Sequence, residues 1–160
     1  MPAPLGHPDN PAPRPAARVL LLDAADRVLL FHGTDPADPD HTYWFTVGGG
    51  RDDGETPQQT AARELREEAG LDIAPEELGE PVWHQVTTFS FDGYWYRQDQ
   101  EFFLHRVSVP AFEVSIAGHD EVEQGSISGY RWWSVPELLA TTEAFYPVEL
   151  PALLRELLER

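Results

Sequence analysis

Between Gly49 and Leu71 the chain reads GGRDDGETPQQTAARELREEAGL, placing a glycine turn, a capped helix and a crowd of carboxylates in one short segment. Thr56 suits an N-cap, Pro57 the first helical position, where a missing N–H leaves nothing unpaired, and Gln59 completes a capping box. Gly70 follows Ala69 where a left-handed residue is wanted, so the spacing predicts one helix of about three and a half turns from Pro57. At about 100° per residue, Ala62, Leu65 and Ala69 form a narrow apolar stripe for packing on a sheet. Glu64, Glu67 and Glu68 fall on the other side, roughly 5–6 Å apart at Cβ, where like charges destabilise a bare helix.

That repulsion calls for compensation. Arg63, four residues before Glu67, can orient one carboxylate, but a single guanidinium does not neutralise these three together with Glu55. A hard divalent cation would, and Mg²⁺, with Mn²⁺ as a substitute, fits because it is usually held by one or two carboxylates plus substrate phosphates. A Glu- and Arg-rich helix is ordinarily a solvated face. Here the surroundings decide otherwise, because the pattern G-x5-E-x7-R-E-U-x-E-E-x-G-U, with U apolar, is filled without a gap. Its positions are Gly49, Glu55, Arg63, Glu64, Leu65, Glu67, Glu68, Gly70 and Leu71. In this the segment resembles the signature box of the Nudix hydrolases. One departure is Val47, which lies where a proline usually precedes the glycines.

Composition narrows the partners. One domain is the simplest organisation for 160 residues, and it would bury about two-thirds of its unfolded surface. A formal net charge of −17, with no block of basic residues, repels nucleic-acid backbones and anionic membranes. It repels a free nucleotide too unless metal screens the phosphates, so the expected partner is a metal-bound, nucleotide-like small molecule. No cysteine is present, which excludes disulfides, thiolate nucleophiles and the usual structural zinc sites and suits a reducing cytoplasm. Neither an export signal nor a membrane span is read at the N-terminus.

In chain order, Met1–Pro15 is proline-rich and reads as an extended, disordered tail, with the folded domain over 16–160. The run ARVLLLD from Ala17 reads as a buried strand and Arg27–His32 as its hairpin partner. Gly33–Thr42 reads as an acidic, proline-broken loop and Tyr43–Val47 as a short strand entering the glycines. Pro75–Pro81 is a polar connection. Val82–Phe91 and Tyr94–Val107 alternate as two long strands around the Asp92-Gly93 hairpin signal. Pro110–Ser128 is loop-like, Tyr130–Trp133 a last strand, and Pro136–Thr141, capped by Ser134, and Pro151–Glu159 are helices. This order looks like the α/β/α sandwich of the Nudix fold, with a mixed sheet.

The resemblance implies Mg²⁺-dependent hydrolysis of a nucleoside diphosphate linked to a group X by attack of water on phosphorus. It carries the metal-ligand role to Glu67, Glu68 and the Gly48 carbonyl, and to Glu64 either metal binding or acceptance of the water's proton. Arg63 is expected to orient Glu67 or Glu64, with Glu55 as its structural partner. A further carboxylate outside the box is expected to act as base or ligand, Glu123 first, then Glu121 and Glu101. For substrate, Trp44, Trp95, Tyr96 and Phe89 could stack a base and Arg97 could pair with a phosphate. The alternative is a nucleotide-binding sensor on the same fold, and a homodimer accords with the family.

Overall fold

A computed structural model of the protein describes residues 1–108 and 127–159. Seven strands, β1 (Ala12–Leu22), β2 (Val28–Asp35), β3 (Asp38–Gly50), β4 (Trp83–Phe91), β5 (Tyr94–Arg106), β6 (Ile127–Trp133) and β7 (Phe145–Tyr146), form one mixed sheet. Strand β1 is its spine. It runs parallel to β5 from Ala12↔Tyr96 to Leu22↔Arg106 and antiparallel to β3 from Ala16↔Gly50 to Val19↔Val47. β4 continues the sheet beyond β5, β2 pairs with both β3 and β6, and β7 lies parallel to β3.

An unbroken apolar run such as VLLL belongs to a strand buried on both faces, and strand alternation sorts its side chains between two cores. Ala17, Val19, Leu21, Leu29, Phe31 and Phe103 pack with Ala61, Ala62, Leu65 and Ala69 of the box helix. Leu20, Leu22, Val28, Leu30 and Phe102 pack instead with Trp133, Leu138, Leu150 and Leu154. Helix α1 (Pro57–Glu64) thus covers one face, while α2 (Val135–Ala140) and α3 (Leu150–Leu158) serve the other. The architecture is the α/β sandwich expected.

Local chemistry explains most boundaries. Both halves of the capping box form: Gln59 N donates to Thr56 Oγ1 at 3.1 Å and Thr56 N to Gln59 Oε1 at 2.9 Å. A second box at Ser134 and Glu137 starts α2. Asp92 and Gly93 take φ of 51° and 79°, the paired positive values of the tight hairpin turn.

Three expectations need correction. Met1–Pro15 is not a free tail: Ala12–Pro15 pair with Tyr96–Asp99, and the Gly6 carbonyl accepts from Trp95 N at 2.8 Å. The prolines permit this because they alternate. Pro15 turns its carbonyl to Arg51 N on the side away from β5, so its missing N–H is not one the β5 ladder uses. Gly33–Thr42 is not a loop but the end of a long hairpin, paired through Thr34↔Thr42 and turned at Pro36 and Ala37, where Asp35 Oδ1 accepts from Ala37 N. The box helix, finally, does not stay α-helical. From Leu65 to Ala69 it widens into a π-turn before Gly70, whose φ of 73° ends it.

Candidate active site

Glycines 48 to 50 bring the end of β3 against the box helix, and the contacts there explain why side chains are missing. Gly48, at φ 143°, lies so close over β1 that a Cβ would collide with the Ala17 carbonyl and Arg18 Cα. At Gly49 a Cβ would come within 2.5 Å of Glu64 Oε1, so the carboxylate occupies the space a side chain would take. Glu68, buried, accepts from Gly48 N at 2.7 Å. The π-turn falls between Glu64 and Glu68 and re-spaces carboxylates that would otherwise follow α-helical intervals.

Arg63 is the centre of the cluster. Its Nε and Nη2 donate to the two oxygens of Glu55 at 2.8 and 3.1 Å, and Nη2 also donates to the Gly50 carbonyl at 2.9 Å. Its Nη1 reaches Glu64 Oε1 at 2.9 Å and Glu67 Oε2 at 3.1 Å, and its Nε lies 3.4 Å from Asp52 Oδ2. The Arg63 bonds first, with Asp52 N and Thr60 Oγ1 adding to them, pull the Glu55 carboxyl down to about 2. Glu64 moves the opposite way: burial, reinforced by Glu67, raises its affinity for a proton despite Arg63. A carboxylate held out of water but still ionisable suits a proton acceptor.

Arg63 thus bridges Glu64 and Glu67 through one oxygen of each, and their other oxygens accept no hydrogen bond among the described residues. No three carboxylates or imidazoles among the described residues converge as a metal cluster. The donors themselves fit a hard divalent cation, since they are all oxygen and Gly49 leaves room beside it for the Glu64 carboxylate.

These residues form part of the wall of a cleft of about 1100 Å³, shared with Arg14, Arg18, Tyr43, Phe45, Phe89, Tyr96, Gln98 and Gln100. The structure therefore brings together Gly48, Arg63, Glu64, Glu67 and Glu68, with Phe89 and Tyr96 also at the cleft. It does not bring the remaining candidates there. Trp44 packs in the core beneath α2 and α3, edge-on to Trp133 at 5.2 Å, with its indole N–H on Glu143. Arg97 and Glu101 point to the opposite side of β5, bordering with Asp99 and Pro57 a smaller hollow of about 310 Å³ that shares Arg14 and Arg51 with the cleft. Trp95 is likewise absent from the cleft wall. Glu123 and Glu121 lie outside the described residues.

Sequence reasoning passed over Arg14, Arg18, Gln98 and Gln100. The available signal was strand alternation. Leu20 and Leu22 share a face of β1 with Arg14 and Arg18, and Phe102 shares a face of β5 with Gln100, Gln98 and Tyr96. The rows that enter the core beneath α2 and α3 continue into the cleft, while Arg97 and Glu101 belong to the row of Phe103, which packs on the box-helix side.

Comparison with known proteins identifies the family and the fold. The NUDIX domain profile matches residues 12–159. The RNA pyrophosphohydrolase of Wolbachia pipientis subsp. Culex pipiens is 27% identical over 138 residues, covering 82% of this chain and 81% of that protein. Its namesake from Cereibacter sphaeroides (strain ATCC 17029) is 30% identical over 149 residues, with 82% of each covered. Among solved structures, the MutT protein of Methanosarcina mazei Go1 superposes with a TM-score of 0.62 at 16% identity, over 92% of this chain and 94% of that one. With the box filled, the carboxylates gathered on the glycine turn and a profile match spanning nearly the whole chain, the protein belongs to the Nudix family, as a hydrolase of phosphoric anhydrides.

Proposed function

We propose that the protein cleaves a nucleoside diphosphate linked to a group X, with Mg²⁺ as its metal and Mn²⁺ as a substitute, by attack of water on a phosphorus of the pyrophosphate. The observation that carries this reading is the Arg63 cluster, which fixes Glu64 and Glu67 against the glycine turn in a cleft large enough for a nucleotide. Glu67, Glu68 and the Gly48 carbonyl would hold the ion, which would supply charge screening and lower the pKa of bound water. Arg63 positions Glu64 and Glu67, and Glu55 in turn fixes Arg63. Glu64 is assigned the water's proton, since burial raises its basicity and its Oε2 accepts no other hydrogen bond among the described residues. Tyr43, Phe45, Phe89 and Tyr96 supply planar surfaces for a base.

The relatives named RNA pyrophosphohydrolase make RNA one form of X to test, but a net charge of −17 favours a small nucleotide over a polyanionic chain. No described helix is long and apolar enough to cross a membrane, and a cysteine-free chain suits the reducing cytoplasm, where nucleotides are found.

The test is a panel with Mg²⁺: nucleoside triphosphates, ADP-ribose, nucleotide sugars, dinucleoside polyphosphates and a 5′-triphosphorylated oligonucleotide, with products resolved by chromatography. At least one is expected to be cleaved, and Glu67→Gln is expected to lower turnover on it by about 10³-fold or more while the far-UV spectrum stays unchanged. Bound nucleotide with no product from any member would mark a sensor instead.

A further inference from the structure

Arg14 and Arg18 stand apart in the charge inventory of this chain. It carries 28 acidic residues and 11 basic ones, all of them arginine, so a guanidinium has no shortage of carboxylate partners. Yet neither Arg14 nor Arg18 makes an ion pair among the described residues. Both are only partly exposed, and both rest on neutral acceptors. Arg14 Nη1 donates to Gln98 Oε1 at 2.6 Å, while Arg18 donates through Nε to Gln100 Oε1 and through Nη1 to the Thr46 carbonyl, each at 3.3 Å. Burial makes both cations harder to keep charged than usual, with Glu64 and Glu68 close enough to be felt but outside ion-pair distance. A desolvated cation left without a counter-ion is costly unless an anion arrives.

Their neighbours hold the guanidiniums in place. Gln98 Nε2 donates to Gln100 Oε1 at 2.7 Å, Gln100 Nε2 to Gln85 Oε1 at 2.8 Å, and Gln85 Nε2 to Glu149 Oε2 at 2.9 Å. This string of carboxamides ends on one carboxylate and turns two of its oxygens, on Gln98 and Gln100, toward the arginines. Gln98 and Gln100 are buried, so the string is built into the cleft wall. Its position is also specific. Arg14 lies against Gly50 and Arg18 against Gly48, while Glu64 meets Gly49 from the other face of β3, and all three side chains line the one cleft. The two cations therefore border the carboxylate cluster on the same glycine turn.

We propose that Arg14 and Arg18 form a phosphate-binding wall beside the carboxylate cluster, set by the Gln98–Gln100–Gln85 string, and that the preferred ligand carries three or more phosphates in a row with a free terminal phosphate. This rests on the reading of the cleft as a pyrophosphohydrolase site. Charge supports the choice. A phosphate bridged on both sides carries about one negative charge, whereas a terminal one carries about −1.5 to −2 at pH 7. A diphosphate with both ends esterified offers little beyond what the metal and its carboxylates already take up; a triphosphate end brings the surplus that two unpaired guanidiniums would match.

The experiment is calorimetric binding, with Mg²⁺, of a methylene-bridged nucleoside triphosphate and of ADP-ribose, to the full-length protein and its Arg14→Gln and Arg18→Gln forms. Each substitution is expected to weaken the triphosphate analogue by about ten- to hundredfold and ADP-ribose by less than about threefold. Arg14→Lys and Arg18→Lys retain charge without the planar fork and should recover part of the loss on the triphosphate only; they carry the test if a glutamine form proves unfolded by circular dichroism. Equal losses on both ligands would overturn the proposal, since the arginines would then serve the carboxylates. No loss on either, or tighter binding of ADP-ribose than of the triphosphate by the unsubstituted protein, would overturn it and leave the hydrolase reading intact. Selective loss in a protein that cleaves nothing in the substrate panel would sustain the arginine wall and refute the hydrolase.

Discussion

A single methyl group at Gly49 should separate activity from stability. Its Cβ would sit 2.5 Å from Glu64 Oε1 and 2.8 Å from Glu64 Cδ, so the carboxylate must move while the backbone, whose φ is ordinary here, need not. Displacing a reacting group by about 1 Å can cost about 10²-fold in rate. Gly49→Ala is therefore expected to lose activity on that scale with a small change in melting temperature, and Gly129→Ala, where nothing lies within 4 Å, to keep both. A rate within a few-fold of normal for Gly49→Ala would show that Glu64 need not stand where the fold holds it. At this scale the sequence is informative where identity and spacing coincide: the intervals crowd the glutamates around Arg63, and the resemblance to the Nudix box is what implies their roles. It failed where the relevant property was a face. Charge drew attention to Arg97 and Glu101, but the sheet turns those outward and gives the cleft the uncharged Gln98 and Gln100. Trp44 misled for a related reason, since an aromatic flanked by Tyr43 and Phe45 can belong to either side of β3, and packing on Trp133 decides for the core.

At the level of the element, the Arg63–Glu55 pair ties the box helix to the segment that leads into it, and acid should reveal that pair. Glu55 accepts two hydrogen bonds from Arg63 and sits well below its ordinary pKa of 4.5, at about 2. A depressed carboxyl contributes stability that is present above its unfolded pKa and lost as the pH falls toward the folded value. Between about pH 5 and pH 2 the protein should therefore lose about 1–2 kcal/mol, after allowance for solvent screening, that Glu55→Gln does not lose. Parallel denaturant titrations of the two proteins check this, and parallel curves with no convergence in acid would remove Glu55 from the account. The ends of this helix were readable because caps are local chemistry: Thr56, Gln59 and Gly70 act within a few residues of themselves. Its widening after Glu64 was not, because a π-turn leaves no composition signal and here coincides with Glu68 reaching Gly48 N. The β2–β3 hairpin and the first residues of β1 were misread for the converse reason. Proline and aspartate argue locally against strands, and only the register with β2 and β5 shows that they fall at a turn or on the unpaired side.

Over the whole molecule, the two ends of a charge gradient compete for the same substrate. The surface carries most of a net −17 and repels a polyphosphate at long range, whereas Arg14, Arg18 and the metal attract it only once it is within the cleft. Salt treats the two unequally. Raising ionic strength from about 0.01 M to about 0.15 M shortens the Debye length from about 30 Å to about 8 Å, which removes long-range repulsion but weakens partly buried contacts much less. At saturating Mg²⁺, kcat/KM for the best substrate should therefore rise over this range, opposite to the fall seen when a basic protein binds a polyanion. The gain should appear in KM, with kcat nearly constant, because approach is affected and the chemical step is not. Steady-state kinetics at constant free Mg²⁺ measure it directly. A falling kcat/KM would mean that attraction at the arginine wall outweighs the surface; in that case Arg14→Gln should restore the rising slope, tying the behaviour of the whole molecule to one side chain.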